Sequence, residues 1–69
     1  MTFADALEAL KAGKKVRRQA WFNDVEYIYA QPRADGLCSI MIHWKYAQSD
    51  TLWEAAHHEL FAEDWVVVE

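Results

Sequence analysis

Arg17 and Arg18 are followed within a few residues by Trp21, Phe22 and Asn23. Guanidinium groups hold phosphate through paired N–H donors, and aromatic faces stack on nucleobases for roughly 1–3 kcal/mol per base. That juxtaposition suits a nucleotide-like ligand. It also suits a plain hydrophobic core, in which Trp21 and Trp65 are packing residues. Both readings hold together if one ring edge enters the core while a face lines a cleft between subunits. Four Trp, three Tyr and three Phe in 69 residues exceed what one small core requires, which favours giving some of them a second task.

Other chemistries find less to work with. The metal-ligating types are Cys38, His43, His57 and His58. Cys38 and His43 are five apart on a strand and point to opposite faces. His57 and His58 are adjacent on a helix and diverge by about 100°. Neither paired cysteines nor a His-Glu-x-x-His spacing occurs, so no metal is expected. Ser39 and Ser49 lie outside any nucleophile elbow, and Cys38 falls on the apolar side of its strand, where a thiol is buried and inert. The carboxylate pairs Glu63-Asp64 and Asp24/Glu26 read as helix-end and turn charges. With Gly13 and Gly36 as the sole glycines there is no phosphate-cradling loop. Neither a catalytic centre nor a cofactor is expected.

The composition bounds the rest. Sixty-nine residues, 54% apolar and 26% charged, allow one globular domain. A chain this short buries only about 60% of its unfolded surface and usually needs a staple. The single cysteine rules out an internal disulfide and fits a reducing compartment. Self-association is left as the staple. Signal-peptide order and a membrane-length apolar run are both absent from the sequence. The net charge of −4 argues against binding nucleic acid or anionic membranes. Its distribution is uneven: Lys11, Lys14, Lys15, Arg17 and Arg18 cluster, whereas Thr51 to Glu69 holds five acids and no Lys or Arg.

The elements that must position these groups follow from period and punctuation. Thr2 caps a helix whose Phe3, Ala6, Leu7 and Leu10 form one apolar stripe, and Gly13 stops it near Ala12. Lys14 to Arg18 is a strand with Val16 inward; Arg18 shares that face and is expected to be partly buried and paired, unlike Arg17. Glu26 to Gln31 is a second strand, Pro32 to Gly36 a hairpin connection and Leu37 to Lys45 a third strand. Cys38, Ile40, Ile42 and Trp44 share one of its faces. Thr51 to Trp53 makes a short fourth strand, Ala55 to Phe61 a short helix, and Trp65 to Val68 a final strand apolar on both sides. The fold class is α+β: an N-terminal helix on a small antiparallel sheet, with a second short helix before the last strand. One helix cannot cover both faces of that sheet, so a second copy of the chain is expected to cover the other.

Two runs carry a family pattern. Phe3-x-x-Ala6-Leu7-x-x-Leu10-Lys11-x-Gly13-Lys14-Lys15-Val16-x-Arg18-x-x-Trp21 resembles the opening of the Thoeris anti-defence 2 family of phage proteins. Trp53, Glu59-Leu60 and Ala62-Glu63-Asp64-Trp65 with the valines after it resemble its closing segment. Together they span about two thirds of the chain, in the right order. The resemblance implies a compact α+β homo-oligomer, a dimer or tetramer, in the cytoplasm of an infected bacterial host. It implies a non-enzymatic sponge that sequesters cyclic nucleotide immune messengers: cyclic ADP-ribose isomers and, in some members, cyclic dinucleotides. On that reading Trp21 and Phe22 stack on a base, Arg18 and Arg17 meet phosphate, Asn23 and His57 are polar readers, and Asp64 pairs with Arg18 in the frame. Ala20 stands where members commonly have Gly, and Ala55-Ala56-His57 and Glu59 stand where Pro-Ser-Gln and Asp are common. A protein-interaction module that blocks a host enzyme, and an enzyme that degrades the messenger, are the alternative functions.

Overall fold

A computed structural model of the chain describes residues 1–21 and 25–68. Helix α1 (Phe3–Lys11) starts at Thr2, whose Oγ1 accepts from the Asp5 N–H while Asp5 Oδ2 accepts from the Thr2 N–H, both at 3.3 Å. This reciprocal cap satisfies two of the donors that a helix start leaves unpaired. Ala12 closes the helix, and Gly13 takes φ of +85°, the left-handed turn that a side chain disfavours.

Five strands follow: β1 (Lys15–Arg18), β2 (Val25–Pro32), β3 (Cys38–Trp44), β4 (Thr51–Leu52) and, after helix α2 (His57–Phe61), β5 (Trp65–Val68). They form one antiparallel sheet in the order β4-β3-β2-β1-β5. The α+β fold expected from the sequence is the one observed. Boundaries shift by a residue or two: β2 runs on through Pro32, which pairs with Cys38, and α2 begins at His57 rather than Ala55.

Register decides the two faces. Val16 lies opposite Ile28, and Ile28 opposite Ile42, so these three share the side on which α1 packs. With Ala6, Leu10 and Trp65 they are the buried core. Trp65 is wholly buried and meets three rings: Phe3 at 5.3 Å, Trp21 at 5.3 Å and Trp53 at 5.9 Å between centroids. Its indole N–H donates to the Glu59 carbonyl at 3.0 Å and so ties α2 to the last strand.

Two expectations are corrected. Cys38 is exposed, not buried: α1 does not close over the hairpin end, and an open groove of about 440 Å³ remains between Leu7, Leu10, Leu37 and Cys38. Arg17 is half-buried, because its side chain folds back onto the chain, with Nε donating to the Arg18 carbonyl and Nη2 to that of Trp21.

Trp65→Ala should cost about 3–5 kcal/mol, comparable to everything one small core supplies, and leave the isolated chain unfolded by circular dichroism and urea titration. In contrast, α2 is capped by Ala56, which offers no side-chain acceptor; only the Glu59 Oε1 bond to the Ala56 N–H is made. Ala56→Ser should therefore add about 1 kcal/mol, read as a higher urea midpoint at unchanged slope.

Candidate functional site

The β1 end and the segment after β4 meet around an open cleft of about 330 Å³. Trp21, Trp44 and Trp53 line it, with Ile42 from the core face of β3 and the carboxylates Glu54 and Glu59. Alternation along β3 puts Trp44 on the same side as Ile42. Trp53 is carried in by the backbone bond from its N–H to the Ile40 carbonyl, 2.9 Å long, which continues the β4 pairing. Trp21 follows the turn that closes when its N–H bonds the Arg18 carbonyl. Trp21 and Trp53 both stand edge-on to Trp65, at 79° and 88°.

Glu59 is anchored at both oxygens: Oε2 accepts from the Trp21 indole N–H at 3.1 Å and Oε1 from the Ala56 N–H at 2.9 Å. No described Lys or Arg lines the cleft.

The residues singled out in the sequence fall into three groups. Trp21 lies in the cleft. Arg17 sits beside its backbone on the opposite side of the sheet, joined to the Trp21 carbonyl at 3.1 Å. Arg18 and Asp64 form the expected pair, Nε to Oδ1 at 2.7 Å and Nη2 to Oδ2 at 3.4 Å, with side chains only 16% and 29% exposed. Asp64 Oδ2 also accepts the Ala20 N–H. His57 is exposed at the first turn of α2, away from the cleft lining. Phe22 and Asn23 lie outside the described residues.

A second cluster was missed by reading the sequence. On the sheet face that α1 leaves open, His43 is held between two carboxylates, Nε2 to Glu26 Oε2 and Nδ1 to Asp50 Oδ1, both at 2.8 Å. The Tyr29 hydroxyl donates to Asp50 Oδ2. Tyr27 stacks on His43 at 4.8 Å, and the Lys15 ammonium lies 4.6 Å over the Tyr27 ring. An irregularity in register between Val25 and Tyr27 brings both Glu26 and Tyr27 to the one ring. Alternation does put His43 with Tyr27 and Tyr29, but the bulge that recruits Glu26 leaves no trace in the residue pattern.

The Tyr29 hydrogen bond, with His43 adding to it, holds the Asp50 carboxyl below the usual carboxylate range, and the same bond pushes the Tyr29 hydroxyl up. Arg18, and after it the Ala20 N–H, holds Asp64 low against some opposing desolvation. A carboxyl whose folded value is depressed contributes its full stabilisation above its unfolded value, near 4, and loses it as pH falls through the folded value. Asp64→Asn should accordingly weaken the fold at pH 7 and flatten the loss of stability on acidification below about pH 4. Urea midpoints measured across that range for both proteins check this; parallel curves would show that Arg18 does not stabilise the ionised carboxyl.

Among the described residues no helix is long and apolar enough to cross a membrane, and no group of three or more His, Cys, Asp and Glu is arranged to hold a metal ion. No curated protein matches the chain. The family model described as Tad2-like, Thoeris anti-defense 2-like domain, matches residues 1–68. With its helix, five-stranded sheet and tryptophan cleft all inside that match, the chain belongs to the Thoeris anti-defense 2-like family and with it to the anti-defence proteins directed at Thoeris.

Proposed function

We propose that the chain is a non-enzymatic sponge: it binds and holds a cyclic nucleotide messenger of the cyclic ADP-ribose or cyclic dinucleotide class, as a homo-oligomer in the cytoplasm of an infected bacterium. The observation that carries this reading is the Trp21 corner. A half-buried indole faces an open cleft, and the Arg17 guanidinium is fixed against its backbone. Stacking surface and phosphate-binding charge are thus carried by one turn, the guanidinium held at the backbone of the residue that carries the indole.

The charges constrain the pose. Glu54 and Glu59 repel phosphate from the cleft interior, so a base enters there and the phosphates lie on the Arg17 side. Arg18 is spoken for by Asp64 and serves the frame; Arg17 spends two of its five donors on backbone carbonyls. Homo-oligomerisation is supported by the open face, where Met41, Val66, Val68, Tyr27 and Tyr29 are half-buried without a covering layer, in a chain too small for a large core. A second copy there would enclose the phosphate part of the ligand on the Arg17 side, and enclosure is what raises affinity from micromolar, about −8 kcal/mol, toward nanomolar, about −12.

A direct inhibitor of a host protein is the second reading. Tyr46, Leu52 and Phe61, exposed at 81%, 64% and 86%, offer it apolar contacts.

Calorimetry with cyclic ADP-ribose isomers and cyclic dinucleotides should give binding heat, and protein heated after incubation should release the ligand intact. Released products would mean an enzyme; no heat with any of them, alongside capture of a host protein, would mean the second reading. Arg17→Ala should weaken binding roughly ten- to a hundredfold, the worth of a charge-assisted contact, and Trp21→Ala by a similar factor. Circular dichroism on each variant separates lost contacts from lost fold.

A further inference from the structure

The geometry points to the tryptophan cleft as a receptor for an organic cation, a positively charged nitrogen carried on an apolar or flat frame. Three indoles, Trp21, Trp44 and Trp53, converge on one space of about 330 Å³, and tryptophan is the side chain whose face attracts cations best. Acidic groups reinforce them: Glu54 and Glu59 both line the cleft, and no described Lys or Arg does.

One hydrogen bond sharpens the case. Trp21 donates its indole N–H to Glu59 Oε2 at 3.1 Å. An N–H that donates to a carboxylate leaves more electron density on its ring, because hydrogen-bonded groups polarise one another. The negative face of the Trp21 ring is therefore strengthened by a residue that also lines the cleft. Glu59 cannot swing away to pair with a ligand directly, because its other oxygen holds the Ala56 N–H. Glu54, exposed on the segment after Trp53, is the carboxylate left to meet the charge itself. Apolar substituents on the nitrogen would rest on Ile42, which lines the cleft from the core face of β3.

This recognition uses the cleft that the sponge reading gives to a base but no phosphate contact, so the two can fail separately. Two sources supply the chemistry, an alkylammonium group or an N-alkylated purine ring, and two probe pairs distinguish them. Choline is compared with 3,3-dimethylbutan-1-ol, its uncharged isostere, and 1-methyladenosine, a cation at neutral pH, with adenosine. The indole N–H signals of Trp21, Trp44 and Trp53 are followed by NMR on the intact chain. In at least one pair the cation should shift those signals with at least tenfold tighter affinity than its neutral partner. Glu54→Gln, an exposed and isosteric change, should weaken the cation several-fold and leave the neutral probe unchanged. Preference within the choline pair alone assigns an alkylammonium, and within the purine pair alone a charged base. Equal binding of charged and neutral members in both pairs, or no shift of the cleft indoles with either cation, overturns the inference. Binding of cyclic nucleotides with no cation preference would overturn it while leaving the sponge reading standing.

Discussion

The packing of Trp65 is the constraint on which the rest depends. A chain of this length has very few wholly buried side chains to spend, and the largest of them is this indole. Its ring faces set the angles of Trp21 and Trp53, and its N–H fixes the carbonyl of Glu59. Glu59 in turn receives the indole N–H of Trp21. The strand pairing that seats Trp65 opposite Arg18 also brings Asp64, one residue earlier, within reach of the guanidinium. Core, cleft wall and ion pair are consequences of one residue's place in one register. A buried indole with its N–H satisfied supplies both the apolar area and the directionality that such a small core lacks elsewhere.

That arrangement gives the two sides of the sheet beside Trp21 different sets of charges. The cleft side carries the carboxylates of the C-terminal segment. Lys15 and Arg17, alternating with Val16, carry cationic groups to the other side. Around Trp21 the Glu54 and Glu59 carboxylates therefore lie on one side of the sheet, and the Lys15 and Arg17 cations lie on the other, which they share with the Glu26 and Asp50 carboxylates held by His43.

Much of this was legible in the residues. The Thr2 cap, the Phe3–Leu10 stripe and Gly13 mark α1 because each acts locally, and alternation in β3 separates Ile42 and Trp44 from Met41 and His43 for the same reason. That Arg18 is partly buried and paired followed from its facing, and Asp64 as its partner came with the family resemblance. What escaped depends on contacts distant in the chain. Arg17 looked like a surface charge because nothing in Lys15-Val16-Arg17 announces a carbonyl four residues on. Cys38 looked buried because alternation tells which side a residue takes but not how far a helix reaches along it. Nothing in the residue pattern joins Glu54 and Glu59 to Trp21, since their spacing from it is set by the turn between β4 and α2 and by no periodicity.

The His43 cluster bears on the cleft although it sits on the other face. Asp50, held by His43 and Tyr29, immediately precedes Thr51, and Thr51 pairs with Ile42 in the cleft lining. Strand β4 has only two residues, and its two pairings are extended by the bond from the Trp53 N–H to the Ile40 carbonyl, a short run for a sheet edge. The Asp50 carboxylate beside it adds side-chain bonds to that edge, and Trp53 and Glu54 follow two and three residues after Thr51. The two faces thus meet at one point of the chain: Asp50 is held on the open face by His43 and Tyr29, and the next residue, Thr51, lines the cleft opposite Ile42.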